Sequence, residues 1–269
     1  MIQRLCVLNR IMFKLEIQAS LFAIRFLGVG NSHALELGTS SCVLEQNHEP
    51  LLLIDCGLST LAAYTRIYSN SLPLAIFITH THLDHIGGLE NLFYQSYFKK
   101  NYIGKIKLFV PVKLVEILHK RMADYSGILA EGGVNFWDNF QLIPVSDHFW
   151  YQNIYFTVFP VRHHEFHSAY GISLEGVFLF TGDTRPIPEV LNKFACRNEL
   201  IFHDACISAN PAHTGIHEVK YYYKVEQLQK MVFYHYESEE ASHSIEQLGF
   251  RVARRDQVFL LRNTKSVTA

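Results

Sequence analysis

No two cysteines in this sequence lie close enough together to form a CxxC motif of the kind that binds zinc or exchanges thiols. The five cysteines are widely spaced and odd in number, which indicates reduced, mostly buried thiols in a cytoplasmic protein. Long apolar runs are also absent, so no membrane span is expected. Charges interrupt the apolar segment 1–20, which argues against a signal peptide. We therefore predict an N-terminal extension over residues 1–20, followed by a single domain over residues 21–269.

An excess of charge of either sign is missing as well. The 24 lysines and arginines nearly balance the 25 aspartates and glutamates, so nothing indicates a surface that coats nucleic acid or membrane. The chain of 269 residues is 49% hydrophobic, which is ample for a packed core. Its 15 histidines are the one compositional clue to function, because most of them fall in a few short segments.

Apolar runs that end in turn residues predict two β-sheets packed face to face and covered by helices, which is an α/β domain. The first run leads into Gly28-Val29-Gly30-Asn31-Ser32, but the third glycine and the helix of a dinucleotide-binding fingerprint are missing. Helices are predicted at Ser59–Tyr68 with Ser59 as cap, Leu89–Phe98, Val112–Ala123 and His217–Lys230. The predicted strands are Phe22–Gly28, Ser40–Glu45, Leu51–Gly57, Leu74–Ile78, Ile106–Val110, Phe140–Pro144, Ile154–Phe159, Tyr170–Leu174, Val177–Thr181, Leu200–His203 and Met231–His235.

The segment Thr79–Gly88 carries the strongest functional signal. Its HxHxDH pattern places three imidazoles and a carboxylate within six residues, directly after a buried strand. His80 and His82 are two residues apart, so in an extended backbone their side chains point to the same side. The pattern offers these two imidazoles to one metal, and the Asp84–His85 pair to a second.

Four later strands also end in residue types that bind metals. These are the His163–His164 doublet, Asp183 in a Gly-Asp-Thr turn, the His203–Asp204 pair, and His235. Each residue alone would be read as an ordinary core histidine or turn aspartate. Strand ends converge in layered α/β folds, so their joint occurrence after HxHxDH predicts one shared site.

These motifs resemble the metallo-β-lactamase superfamily, and most closely its branch of tRNase Z and related phosphodiesterases. The HxHxDH of residues 80–85 is the superfamily's signature. The segment VRHHEFHSAYGISLEGVFLFTGDTRP, the HDAC of residues 203–206, and His213-Thr214 followed by His235 are similar to later motifs of that branch. The resemblance covers Phe22 to about His243, and it implies a four-layer αββα sandwich and a possible homodimer.

The resemblance also implies a ligand set for two divalent ions, with zinc as the first choice and Mn²⁺ or Fe²⁺ as alternatives. Asp55, His203 and Asp204 would support the ligands, His164 is the alternative to His163, and His213 and Asp84 would be catalytic. His213 would contact the phosphate or protonate the leaving oxygen, a task for which His217 is a weaker candidate. The ligands would be His80, His82 and His163 for one ion, Asp84, His85 and His235 for the other, and Asp183 as the bridge.

The predicted function is hydrolysis of a phosphodiester, in a small molecule, a nucleotide or RNA, by metal-bound hydroxide. Neither the long tRNA-holding arm of tRNase Z nor its GEGTQ-like segment is visible, which argues against tRNA processing. Three alternatives stay open: a thioester or lactone hydrolase of the same fold, a di-iron redox protein, and a non-catalytic metal-binding regulatory module.

Overall fold

The computed structural model describes residues 21–123 and 135–261, so the predicted extension over residues 1–20 lies outside the described part of the chain. Every predicted strand is present, and two more, β7 and β13, were not predicted. The strands are β1 Phe22–Gly28, β2 Ser41–Gln46, β3 Glu49–Ile54, β4 Ala75–Phe77, β5 Ile106–Pro111, β6 Phe140–Val145, β7 His148–Tyr151, β8 Ile154–Pro160, β9 Tyr170–Leu174, β10 Phe178–Phe180, β11 Leu200–Asp204, β12 Met231–Tyr234 and β13 Val258–Leu261.

These strands form two sheets. The first has the order β13-β1-β2-β3-β4-β5-β6, with parallel pairing from β3 through β6. The second has the order β12-β11-β10-β9-β8-β7, with β10, β11 and β12 parallel. Parallel neighbours end at the same edge of a sheet, so the polar residues that follow several of these strands are collected at one place.

The core lies between the sheets and is rich in aromatic rings. Phe26 on β1 packs against Phe202 and Tyr234 of the second sheet, with ring centroids 5.4 Å and 5.7 Å apart. Phe109 on β5 stacks on Phe149 of β7 at 4.3 Å. All five rings are buried, and burying a ring of this size contributes about 1.5–3 kcal/mol of stability. The predicted four-layer αββα sandwich is therefore confirmed, since helices flank both sheets.

The helices are shorter and more irregular than predicted. The predicted helix Val112–Ala123 is a 3-10 turn, one α-turn and a π-helical turn in succession, and Tyr223–Lys224 interrupts the helix predicted at His217–Lys230. Ser59 precedes a helix but does not cap it, because its hydroxyl accepts the Thr39 N–H. The helices are α1 Thr60–Ile67, α2 Leu83–Ile86, α3 Gly88–Phe98, α4 Val115–Leu118, α5 Phe136–Asn139, α6 Pro188–Phe194, α7 Val219–Tyr222, α8 Val225–Leu228 and α9 Glu239–Gln247.

Within residues 21–123 and 135–261, no helix is long and apolar enough to cross a membrane.

Candidate metal centre

The HxHxDH segment bridges the two sheets at their shared edge. Directly after β4, the Thr79 carbonyl accepts the Tyr170 N–H, and His80 forms an isolated bridge with Ala169. The chain then turns into α2, which carries Asp84 and His85. Gly87 and Gly88 follow, and neither has a positive φ. Gly88 is instead required for close packing, since a Cβ there would overlap the Gly57 carbonyl oxygen.

One group of donor atoms combines the HxH pair with the end of β8. His80 Nε2 lies 3.1 Å from His82 Nδ1, and His163 Nε2 lies 3.2 Å from that same His82 atom. Asp183, which follows β10, places Oδ2 at 3.5 Å from His80 Nε2 and 3.9 Å from His163 Nε2. Three imidazole nitrogens and one carboxylate oxygen therefore face one another.

A second group shares Asp183 with the first. Its Oδ2 lies 3.3 Å from His85 Nε2 and 3.2 Å from His235 Nε2. Asp84 Oδ2 completes this group, 3.5 Å from His85 Nε2 and 3.6 Å from His235 Nε2. The His235 backbone has a φ of 70°, which costs a non-glycine residue about 1–3 kcal/mol. Rigid neighbours must hold this conformation at the end of β12.

Both groups fit divalent cations. Donors bound tetrahedrally at about 2.1 Å from one ion lie about 3.4 Å from one another, and the separations within each group cluster around this value. In addition, His85 Nε2, His235 Nε2 and Asp183 Oδ1 are buried and have no hydrogen-bond partner in the described residues. Unpartnered buried polar atoms are costly, so their convergence is explained by a cation between them.

Four of the five histidines in these groups have a partner on the ring nitrogen that faces away. His80 Nδ1 lies 3.0 Å from the Thr79 hydroxyl, and His163 Nδ1 lies 2.9 Å from the Ala212 carbonyl. His85 Nδ1 donates to Asp55 Oδ2 at 2.8 Å, and His235 Nδ1 lies 3.4 Å from Asp204 Oδ1. Such partners fix the ring and direct the other nitrogen inward.

Asp55 is fixed more firmly than a solvent-exposed carboxylate. It follows β3 with a φ of 61° and is fully buried. Its Oδ1 accepts the Thr79 N–H at 2.8 Å, while Oδ2 accepts the Thr79 hydroxyl at 2.7 Å as well as the His85 ring. One carboxylate therefore aligns the start of the HxHxDH segment with its last histidine.

The electrostatics of the two donor groups favour positive charge between them. Burial alone would lower the pKa of His235, but Asp183, Asp204 and Asp84 raise it to about 10. Burial likewise opposes the charged form of Asp183, yet His235, His85 and His80 hold its pKa well below the ordinary value. His163 is different, since burial lowers its pKa to about 4 and leaves its ring neutral. The carboxylates therefore favour positive charge between the two groups, which divalent cations would supply.

His213 lies beside the two donor groups, but it bonds to Asp204 rather than to Asp183, the carboxylate that they share. Its Nδ1 donates to Asp204 Oδ2 at 2.8 Å, and that same oxygen accepts the Thr184 N–H at 2.8 Å. Its ring stacks on His235 with centroids 4.9 Å apart. Burial lowers the pKa of His213, but the Asp204 carboxylate more than compensates and raises it above the ordinary value.

Sequence comparison identifies a family for nearly all of the chain that the structure describes. A sequence model of the family Anti-Pycsar protein Apyc1 matches residues 22–259. The chain belongs to the Apyc1 family. An Anti-Pycsar protein Apyc1 from Bacillus phage BSP38 is 28% identical over 240 residues, which cover 79% of this chain and 88% of the phage protein. One from Paenibacillus harenae is 29% identical over 207 residues, covering 73% of this chain and 82% of that protein.

Solved structures show that this Apyc1 family member has the metallo-β-lactamase fold, as predicted. The metallo-β-lactamase fold protein YhfI from Bacillus subtilis superposes with a TM-score of 0.69 at 14% identity, covering 89% of this chain and 99% of YhfI. A diphosphatase from the PhnP family gives 0.69 at 18% identity, covering 90% and 99%. Human tRNase Z, short form, gives 0.59 at 17% identity, covering 90% and 100%.

In this Apyc1 family member, the structure separates the neighbouring histidines that the sequence left ambiguous. His163 faces the first donor group, whereas His164 is exposed and packs its ring on His82 at 4.8 Å. His203 was predicted to support the ligands, but its ring bonds to the Asp204 carbonyl and the Tyr223 hydroxyl. Successive side chains of β11 face opposite sides, so Asp204 reaches the site and His203 does not.

Sequence reasoning missed one wall of the cavity beside the donor groups. The cavity has a volume of about 270 Å³, and its missed lining residues come from the turn after β1, the loop after β11 and the segment after β12. The first of these turns was noted only because it fails as a dinucleotide fingerprint. The missed residues are Asn31, Ser32, His33, Asn210 and Glu237.

Proposed function

We propose that this Apyc1 family member is a dinuclear metal-dependent phosphodiesterase that acts on nucleotide substrates, with cyclic nucleotides as the preferred class. The observation that carries the proposal is the pair of buried donor groups that share Asp183. The set contains imidazoles and carboxylates, and of these two types only a carboxylate can present oxygens to two cations. Membership of the Anti-Pycsar protein Apyc1 family fits a cyclic-nucleotide hydrolase.

Seven side chains would hold the two ions. The mixture of imidazole nitrogens and carboxylate oxygens suits zinc, and does not exclude Mn²⁺ or Fe²⁺. Two such cations would lower the pKa of water toward about 7 and neutralise charge on a phosphoryl group. The proposed ligands are His80, His82 and His163 for one ion, Asp84, His85 and His235 for the other, and Asp183 for both.

The side chains behind the ligands would keep the ring nitrogens aimed inward. Asp55 would orient His85, and Asp204 would orient both His235 and His213. Their contacts to the Thr79 and Thr184 N–H groups tie both carboxylates to the backbone, so the arrangement is set before substrate enters. Preorganisation of this kind lowers the reorganisation needed in the transition state.

His213 is the proposed proton donor to the leaving oxygen. Because Nδ1 is held by Asp204 at 2.8 Å, Nε2 is the nitrogen that remains available to a substrate in the cavity. The Asp204 carboxylate favours the protonated ring, which is the form that a general acid needs. Asp84 would act as a ligand rather than as the proton donor, since burial raises its pKa but the neighbouring His235 and His85 rings lower it to about 2.

The surroundings support a small anionic substrate. The cavity of about 270 Å³ is at the small end of ligand pockets, which typically measure roughly 300–1,000 Å³. An adjoining cleft shares His213 and Asn210 with the cavity and is also lined by Arg162 and Arg185. Among the proteins that share this fold, the names diphosphatase, tRNase Z and yeast PDE1 each denote action on phosphate esters or anhydrides. A phosphodiester is therefore favoured over a thioester or lactone.

A substrate panel tests the proposal. Purified protein supplied with Zn²⁺ or Mn²⁺ is assayed on bis-p-nitrophenyl phosphate, purine and pyrimidine cyclic mononucleotides, a precursor tRNA and a thioester. We expect turnover of the cyclic nucleotides and of bis-p-nitrophenyl phosphate. Asp183→Asn protein, prepared in parallel, controls for contaminating phosphodiesterases. Turnover of the thioester without any phosphodiester would overturn the proposal.

A further inference from the structure

Glu237 lines the cavity and has one hydrogen-bond acceptor without a partner among the described residues. It follows β12 two residues after His235 and lines the same cavity of about 270 Å³ as Asp84, Asp183 and His213. Its Oε1 accepts the Ile207 N–H at 2.9 Å. Its Oε2 is buried and has no hydrogen-bond partner among the described residues. One oxygen therefore anchors the side chain, and the other lacks a hydrogen-bond partner.

The proposed ions do not account for this oxygen. Glu237 belongs to neither donor group, nor to any other cluster of His, Cys, Asp and Glu with metal-binding spacing in the described residues. Asn31 lines the same cavity, but its side-chain oxygen accepts the N–H groups of His33 and Ala34, and its amide does not hydrogen-bond to Oε2. A buried acceptor without a partner costs stability, so its retention at a cavity wall points to a ligand.

The charge of Glu237 restricts what that ligand group can be. The substrate of the proposed reaction is an anion, and a carboxylate close to it is unfavourable unless the substrate donates a hydrogen bond there. The non-phosphate part of a nucleotide carries two kinds of donor, the ribose hydroxyls and the N–H groups of the base. Both kinds would satisfy Oε2.

We propose that Glu237 is a specificity-determining residue whose Oε2 accepts a hydrogen bond from the nucleoside part of the substrate. The inference rests on the proposed phosphodiesterase function and deepens it. Sites that hydrogen-bond a substrate donor discriminate strongly against analogues without it, because the protein group is then left buried and unpaired. The protein should therefore prefer nucleotides that carry the donor over otherwise identical ones that lack it.

Glu237→Gln isolates this role. The amide oxygen can still accept the Ile207 N–H, so the anchor remains, while the unpartnered acceptor is replaced by an NH₂ donor. Glu36→Gln is the matched control, since it removes an exposed carboxylate from the 3-10 turn Leu35–Leu37 and is outside the cavity lining. Metal content and thermal unfolding of both variants are compared with those of the wild type.

The measured quantity is the ratio of kcat/KM for each cyclic nucleotide to that for bis-p-nitrophenyl phosphate, which has no donor. The nucleotide set pairs ribose with 2′-deoxyribose forms and adenine with unsubstituted purine, which lacks the amino group, so that the two donor sources are distinguished. In the wild type and in Glu36→Gln, we expect this ratio to differ roughly tenfold between the two members of one nucleotide pair. In Glu237→Gln, the ratios of the two members should become nearly equal. Calorimetric binding of the corresponding nucleoside monophosphates should show the same pattern without turnover.

The outcomes separate this inference from the proposed function. Wild-type protein that hydrolyses no phosphodiester would overturn the function, and the inference with it. Phosphodiester turnover with equal ratios for both pairs, or with a preference that survives in Glu237→Gln, would overturn the inference alone.

Discussion

Replacing His213 with alanine should abolish turnover while leaving both ions bound. The ring stacks on His235 and bonds to Asp204, but its atoms are not needed to complete either of the two donor groups around Asp183. Its removal therefore deletes a proton donor and retains the seven proposed ligands. The two effects, on catalysis and on metal content, can be measured separately.

The magnitude follows from the task assigned to the ring. A positioned general acid contributes roughly 10²–10⁴-fold to a rate, so kcat should fall by about that factor in His213→Ala. The loss should be greatest for substrates with a poor leaving group, since bis-p-nitrophenyl phosphate releases an anion that hardly needs a proton. Asp204 raises the pKa of His213, so in the wild type the active protonated form persists to higher pH than for a free imidazole. Wild-type kcat should fall as pH rises through that pKa, and this alkaline decline should disappear in the variant.

The assay combines metal analysis by mass spectrometry with steady-state kinetics across pH. His217→Ala is the matched control, because His217 is exposed, lies only four residues away and belongs to neither donor group. We expect about two ions per chain in wild type and in both variants. Loss of bound metal from His213→Ala in proportion to its activity would refute the role, because His213 would then be part of the ligand set.

Three further predictions concern the ions themselves. Asp183→Asn should lose at least one ion per chain, because the shared oxygen lies 3.2 Å and 3.5 Å from the His235 and His80 nitrogens of the two groups; full metal occupancy in this variant would contradict the bridge. Asp55→Asn should weaken metal affinity roughly 10–100-fold in a chelator competition, since an amide nitrogen cannot accept from His85. Burial lowers the pKa of the proposed ligand His235, but Asp183 and other carboxylates raise it to about 10. Metal uptake near neutral pH should therefore release a proton, detected as buffer-dependent calorimetric heat, and affinity should weaken as pH falls; uptake without proton release would exclude His235 as a ligand.

The HxHxDH part of the site could be predicted because short sequence spacings determine its geometry. Side chains two positions apart in an extended backbone point to the same side. The structure places His80 Nε2 and His82 Nδ1 3.1 Å apart. The approach of His163, Asp183 and His235 depends on strand order in two sheets, which no local spacing encodes. Motif order and resemblance supplied those residues, and the structure brings their donor atoms together.

The errors arose where tertiary contacts override local propensity. Tyr223 interrupts the helix predicted at His217–Lys230, and its buried hydroxyl accepts the Ile187 N–H and lies 2.6 Å from His203 Nε2. His203 was predicted to support the ligands, but the same Tyr223 hydroxyl and the Asp204 carbonyl hold its two ring nitrogens. Ser59 has the sequence position of a cap, but its hydroxyl is used by the Thr39 backbone instead.

Glu237 could not have been predicted from the sequence. A glutamate two residues after a histidine belongs to no recognised motif, and only the fold shows that it faces the cavity beside Asp183. Its unpartnered oxygen is a property of the packed structure rather than of the pattern.

The most direct test of the central claim is a titration of metal-free protein with Zn²⁺ or Mn²⁺ in which bound ions and cyclic-nucleotide hydrolysis are measured together. The account predicts saturation at two ions per chain, with hydrolysis appearing as the second ion binds and remaining absent from Asp183→Asn. Saturation at one ion, or two bound ions without hydrolysis of any phosphodiester, would contradict it.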